Sequence, residues 1–159
     1  EWMPLRPGTD VAVMLGLVHT LIAQDLHDLA FLERCTVGFE PVRRYVLGLD
    51  DGQPKSADWA AQLSSLDAES IRSLARRMAS QRTLVTCAVG VQRAEYGEQP
   101  IWMTVVLAAL LGQIGLPGRG FGIGYAQSGV IGKPNNWLPW PSLPQGTNAV
   151  DRFIPVAPF

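Results

Sequence analysis

The sequence predicts a helix-rich α/β fold with few parallel strands and an irregular C-terminal strap. Three observations carry this. Apolar residues recur at helical spacing through residues 10–24 and 67–80. The run RTLVTCAV (82–89) lacks polar alternation, as parallel strands covered on both faces do. Glycine and proline crowd the end: 8 of the 16 glycines lie between Gly112 and Gly132, and 7 of the 12 prolines fall from Pro117 onward.

The elements follow in order. MPLRPGTD (3–10) reads as a loop, extended by Pro4 and Pro7 and turned at Gly8. Thr9 or Asp10 can cap the helix that follows, since a side-chain oxygen there accepts from free first-turn amides. That helix is expected over Asp10–Gln24, with Met14, Leu17, Val18, Leu21 and Ile22 in period and Val11, Val13 and Leu15 filling the opposite face. Such a helix is buried on most sides. Shorter helices are expected at His27–Arg34, Glu40–Leu47 and Ala57–Ser64, with GLDDGQPK (48–55) a polar turn. Asp67 caps an amphipathic helix that faces Ile71, Leu74, Ala75 and Met78 inward and Arg72, Arg76 and Arg77 outward. After the strand, Pro100 opens an apolar helix, IWMTVVLAALLGQIG, where proline suits a first turn. From Leu116 the periodicity stops, although Trp137 and Trp140 are present. The expected division is an incomplete α/β domain over 1–116 and an extended Gly/Pro-rich segment over 117–159 that packs on other parts of a larger protein. The abrupt ends of the chain fit an excised piece.

Composition excludes several function classes. The 159 residues carry 13 basic and 14 acidic side chains, a net charge of −1, which gives no reason to expect nucleic acid or an anionic membrane surface. The apolar run Ile101–Leu111 is too short to span a bilayer, which takes about 20 residues. Cys35 and Cys87 lie far apart in apolar surroundings, without zinc spacing, and read as buried small hydrophobes. His19 and His27 are the only histidines, and His19 reads as a core residue of a buried helix. There is no HExxH and no GxSxG. GLPGRGFGIG (115–124) lacks the spacing of a phosphate-binding fingerprint, with no strand leading into it.

Two places remain where chemistry could sit. At Gly8, Thr9 and Asp10 a turn opens a helix, and the carboxylate can accept a pair of N–H donors such as guanine presents at N1 and its amino group. A plain helix cap is the other reading. At Val89, Gly90, Gln92 and Arg93 the chain leaves the C-terminal end of a parallel strand, where open α/β sheets bind ligands. Gly90 allows close backbone approach, and Arg93 offers five donors. A structural arginine pinning the next loop is the alternative there.

RPGTDVAVMLGLVHTLI, FLERCTVGFEPVRRYVLG, VQRAEYGEQP, LAALLGQIGLPGRGFGIGY and FIPVA, in this order, resemble the molybdopterin oxidoreductases of the dimethyl sulfoxide reductase type, especially the dimethyl sulfoxide, trimethylamine N-oxide and biotin sulfoxide reductases. The similarity runs through nearly the whole chain. It implies a piece of a doubly wound, nucleotide-binding-like domain of a catalytic subunit that reduces S-oxides or N-oxides by oxygen atom transfer. The implied cofactor is molybdenum bis(molybdopterin guanine dinucleotide). Carried over by position, Gly8, Thr9 and Asp10 match the guanine-dinucleotide loop. Val89 and Gly90 match backbone packed on the pterin, Arg93 matches an arginine near the metal pocket with a catalytic role, and Gln92 belongs to the same motif. No metal ligand is carried over, because the molybdenum-ligating serine of the relatives lies in an earlier segment. The C-terminal domain that holds much of their cofactor is absent too, so the piece alone is expected to be inactive.

The implied partners are a small S-oxide or N-oxide, the remaining domains of the polypeptide and an electron-donor protein. The compartment, periplasm or cytoplasm, stays open. Relatives often carry Trp-Ser in place of Val89-Gly90, a change that bears on pocket shape, and many carry glycine at Arg119. Two other readings stand beside this one: a non-catalytic α/β interaction domain, and a molybdopterin enzyme for another substrate class. VQRAEYGEQP speaks against nitrate or formate enzymes, which usually differ there.

Overall fold

The computed structural model describes residues 2–124 and six positions between 141 and 149. Residues 1–127 and 128–159 form two separate units, and every element below belongs to the first. Trp137, Trp140 and FIPVA lie outside the described residues. The first unit is helix-rich α/β. Its helices are α1 (Asp10–Ala23), α2 (Leu29–Cys35), α3 (Phe39–Val46), α4 (Ala57–Ser64), α5 (Ala68–Ser80) and α6 (Glu98–Leu110). The strands are β1 (Leu84–Cys87) and β2 (Gly120–Ile123). They pair in parallel, Leu84 opposite Gly120 and Cys87 opposite Ile123.

Helix α1 is the axis of the fold, packing on α4, α5 and α6. Val18 and Leu21 are fully enclosed, joined in the core by Ala60, Ile71, Leu107 and Leu110. The Thr20 hydroxyl, buried in this helix, donates to the Gly16 carbonyl at 2.8 Å, so no polar group is stranded there. Side-chain caps start the shorter helices. Asp28 accepts from the Phe31 amide at 2.9 Å, Ser56 from Trp59 at 3.2 Å and Asp67 from Ser70 at 2.8 Å. Because Asp28 takes the cap position, α2 begins at Leu29 rather than His27.

The polar turn after α3 is fastened by Lys55. Its stem is buried, and its ammonium donates to the Asp51 carboxylate and the Gln53 carbonyl, each at 2.6 Å, beneath the Tyr45 ring. On α5, Arg72 pairs with Asp58 and Glu69, and Arg76 with Glu69, as expected of a solvated face.

Three expectations are corrected. Residues 117–124 are not wholly irregular: Gly120–Ile123 forms β2, a strand that the glycine-rich composition concealed. β1 is not enclosed on both faces, for Leu84 and Thr86 are exposed and Val85 and Cys87 half-buried. Cys35 is exposed at the end of α2 and Cys87 half-buried, so neither thiol is a core hydrophobe; both are free.

The buried Gln113 fastens the entry to β1. Its carbonyl oxygen accepts from the Thr83 amide at 2.7 Å, and its amide donates to the Gln81 carbonyl at 3.0 Å. This side chain hydrogen-bonds the backbone as a neighbouring strand would, just before β1. Gln113→Leu leaves the Thr83 N–H without its acceptor. Stability is expected to fall by about 1–3 kcal/mol in urea unfolding.

His19 is half-buried on α1. Burial lowers its pKa, Asp58 opposes the shift and Arg72 adds to it. The unfolded chain therefore takes up this proton first, near pH 6.5. Stability should decline as pH falls from there toward the depressed folded value. His19→Gln is expected to flatten that decline, read from urea midpoints between pH 7.5 and 5.5.

Candidate functional site

The N-terminal loop is latched before it reaches α1. The Arg6 amide donates to the Ser64 carbonyl at the end of α4, at 2.8 Å, and the Arg6 guanidinium reaches the Ser65 hydroxyl at 3.3 Å. The chain turns at Gly8, whose φ of +81° is a left-handed conformation glycine adopts freely. Thr9 occupies the cap position of α1, but its hydroxyl turns back to donate to the Arg6 carbonyl at 2.6 Å. Thr9 thus braces the turn instead of capping the helix. Asp10 is the first helical residue, half-buried, and its carboxylate has no partner among the described residues.

The second loop leaves the C-terminal end of β1. Val89–Gln92 form one 3-10 turn, and the Arg93 amide closes it on the Gly90 carbonyl at 3.1 Å. Gly90, Gln92 and Arg93 are exposed and Val89 is half-buried. A further turn follows, in which the Gly97 amide donates to the Ala94 carbonyl at 3.0 Å and the Gln99 amide to the Tyr96 carbonyl at 2.9 Å. Gly97 is buried with its backbone pressed on Gln92; any Cβ there would overlap the Gln92 carbonyl. Helix α6 then starts, Pro100 falls in its first turn, and its buried Leu107–Leu110 face anchors the loop to the core.

The two loops share a cleft of about 320 Å³, lined on one side by Gly8, Asp10 and Val11 and on the other by Val91 and Ala94–Gly97, with Gln99 and Pro100 beneath. The first turns of α1 and α6 both border it. The start of α1 leaves backbone amides without intrahelical acceptors beside the Asp10 carboxylate, whereas at α6 the Gln99 amide is taken by the Tyr96 carbonyl and Pro100 has no N–H. Of the residues singled out in the sequence, Gly8 and Asp10 line this cleft. Thr9, Val89, Gly90, Gln92 and Arg93 lie beside it in the same two loops but do not line it. Tyr96, Gly97 and Gln99 were passed over, although the polar stretch EYGEQP between a strand and an apolar helix was a visible signal. A second, mostly apolar cleft of about 380 Å³ meets Asp10 from the other side, between α1, α5 and β1.

Among the described residues no group of His, Cys, Asp and Glu could hold a metal ion, and no helix is long and apolar enough to cross a membrane. Gly97→Ala is expected to push the loop off Gln92 and to cost on the order of 1–3 kcal/mol. Hydrogen exchange should then speed up across residues 92–99 while the amides of α4 and α5 keep their protection.

The family model described as molybdopterin oxidoreductase matches residues 1–149. A biotin sulfoxide reductase of Cereibacter sphaeroides is 44% identical over 99% of this chain and 21% of that protein. A dimethyl sulfoxide/trimethylamine N-oxide reductase of the same organism is 53% identical over 77% of this chain, 15% of that protein. Trimethylamine-N-oxide reductase 1 of Escherichia coli K12 is 54% identical over 79% and 15%. Among solved structures, acetylene hydratase from Pelobacter acetylenicus superposes with a TM-score of 0.63 at 30% identity, over 70% of this chain and 15% of that one. The chain spans about a fifth or less of the length of these proteins.

Proposed function

The chain belongs to the molybdopterin oxidoreductase family, and on that footing we propose that it is the cofactor-gripping part of an S-oxide or N-oxide reductase. The single observation that carries this reading is the cleft shared by the two loops, with the half-buried Asp10 on one wall and the β1 exit loop on the other. The residues fit a molybdopterin guanine dinucleotide. A glycine turn allows backbone approach, a carboxylate accepts paired N–H donors, the free amides at the start of α1 can donate to the ligand, and an exposed tyrosine lines the same space.

In this reading Asp10 accepts the guanine N–H pair, and Gly8 admits the base against the backbone. Thr9, through its bond to Arg6, fixes the turn in which both are held. Val89 and Gly90 lie against the pterin. Gln92 and Arg93 extend donors toward the metal pocket, where Arg93 orients the oxide oxygen as a catalytic residue. The bound molybdenum supplies the oxygen-atom acceptor for S-oxide or N-oxide reduction. The β1–β2 pair belongs to a wider doubly wound, nucleotide-binding-like sheet. Residues 1–116 grip the cofactor, with Gly120–Ile123 joined to them as β2, and an electron donor is a partner. The names of the similar reductases support the substrate class.

The test uses the full-length protein. It should contain molybdenum and release a guanine-bearing pterin on denaturation; a folded protein free of both would favour an interaction domain. Asp10→Ala should weaken retention about 10- to 150-fold, the equivalent of a charge-assisted hydrogen bond of about 1.5–3 kcal/mol. Arg93→Ala should keep the molybdenum and lose turnover. Wild-type molybdenum content and activity in both variants would remove both residues from the site.

A further inference from the structure

Tyr96 is the most costly side-chain placement on the cleft wall. Its φ is +55°, in the left-handed region that bulky residues rarely enter. Among the described residues the other two non-glycine positions with positive φ, Asp25 and Ser65, are small and polar. Nothing in the local packing rewards a tyrosine here, since the residue is 69% exposed. Its backbone is nonetheless held on both sides: its carbonyl accepts from the Gln99 amide, and the next residue, Gly97, lies directly against the Gln92 backbone and donates its amide to the Ala94 carbonyl. The loop spends its rigidity on presenting an aromatic ring at the edge of the cleft that Asp10 lines from the other side.

A tyrosine on a strained backbone and exposed beside the cleft suits the face of a planar ligand. We infer that Tyr96 is a stacking residue for a planar heterocycle of the cofactor, closing the cleft over the ring whose edge Asp10 receives. The inference rests on the proposed function, since the cofactor supplies that heterocycle. Asp10 then reads the edge and Tyr96 the face, a division that lets one short loop contribute affinity without sequence-like hydrogen bonding. The hydroxyl has no part in this.

The test compares Tyr96→Phe and Tyr96→Gly in the holoenzyme. One readout is the rate at which fluorescent pterin leaves the protein in mild urea; the other is the thermal midpoint of the cofactor-free protein. Tyr96→Phe should release pterin at the wild-type rate, within about two-fold. Tyr96→Gly should release it about 5- to 150-fold faster, the range of one lost stacking contact. The cofactor-free midpoint of Tyr96→Gly should hold or rise, because glycine enters the left-handed region freely. Equal release from Tyr96→Gly and wild type overturns the inference and leaves the cofactor site standing. So does a fall in the cofactor-free midpoint that accompanies faster release, which would make the tyrosine a structural support. Loss of pterin from Tyr96→Phe as fast as from Tyr96→Gly would move the interaction to the hydroxyl and also overturn it. Wild-type protein that carries no pterin at all defeats the cofactor reading itself.

Discussion

Helix α1 meets α4 across Gly16 and Ala60, and a methyl group on Gly16 would stand 2.9 Å from the Ala60 methyl. That approach is closer than side chains normally allow, so the two helices are in contact through their smallest residues. The rest of the unit takes its position from this contact. With α1 seated on α4, the carbonyl of Ser64 at the end of α4 comes within reach of the Arg6 amide, and the N-terminal loop is tied down beside it. Gly8 and Asp10 are thereby delivered to one side of the cleft by a core contact well below them.

The opposite wall is fixed by a separate device with the same logic. Gly97 lies against the Gln92 backbone, and α6 begins at the next residue with Leu107 and Leu110 enclosed in the core. A donor-rich strand exit can pass straight into an apolar helix because the loop between them folds back on itself. Both walls thus depend on a glycine where no side chain fits, one in the core and one in the loop. The cleft is rigid where it touches α1 and α6, while Gln92 and Arg93 keep exposed side chains.

Much of the helical framework was legible in the sequence. The Asp67 cap and the Ile71, Ala75 face of α5 are local signals, and α1 and α4 follow directly from apolar spacing. What escaped was set by contacts between distant residues. β2 alternates glycine with Phe121 and Ile123, and its strand character comes from pairing with β1 rather than from its own composition. Thr9 has the chemistry of a cap, yet the Arg6 carbonyl competes for its hydroxyl at 2.6 Å. Gly8 and Asp10 could be singled out because a turn before a helix is recognisable along the chain. The polar stretch EYGEQP was visible, but the roles of Tyr96 and Gly97 within it depend on the left-handed backbone at Tyr96 and on the Gln92 backbone folded against Gly97.

The fastening of the turn after α3 has a practical side. Lys55 is the single lysine among residues 2–124, and its ammonium is sequestered between a carboxylate and a carbonyl. All other fixed positive charge in that stretch is guanidinium. Amine-directed labels and cross-linkers will therefore pass over this unit almost entirely. The exposed thiol of Cys35 is the natural handle for attaching a probe to it.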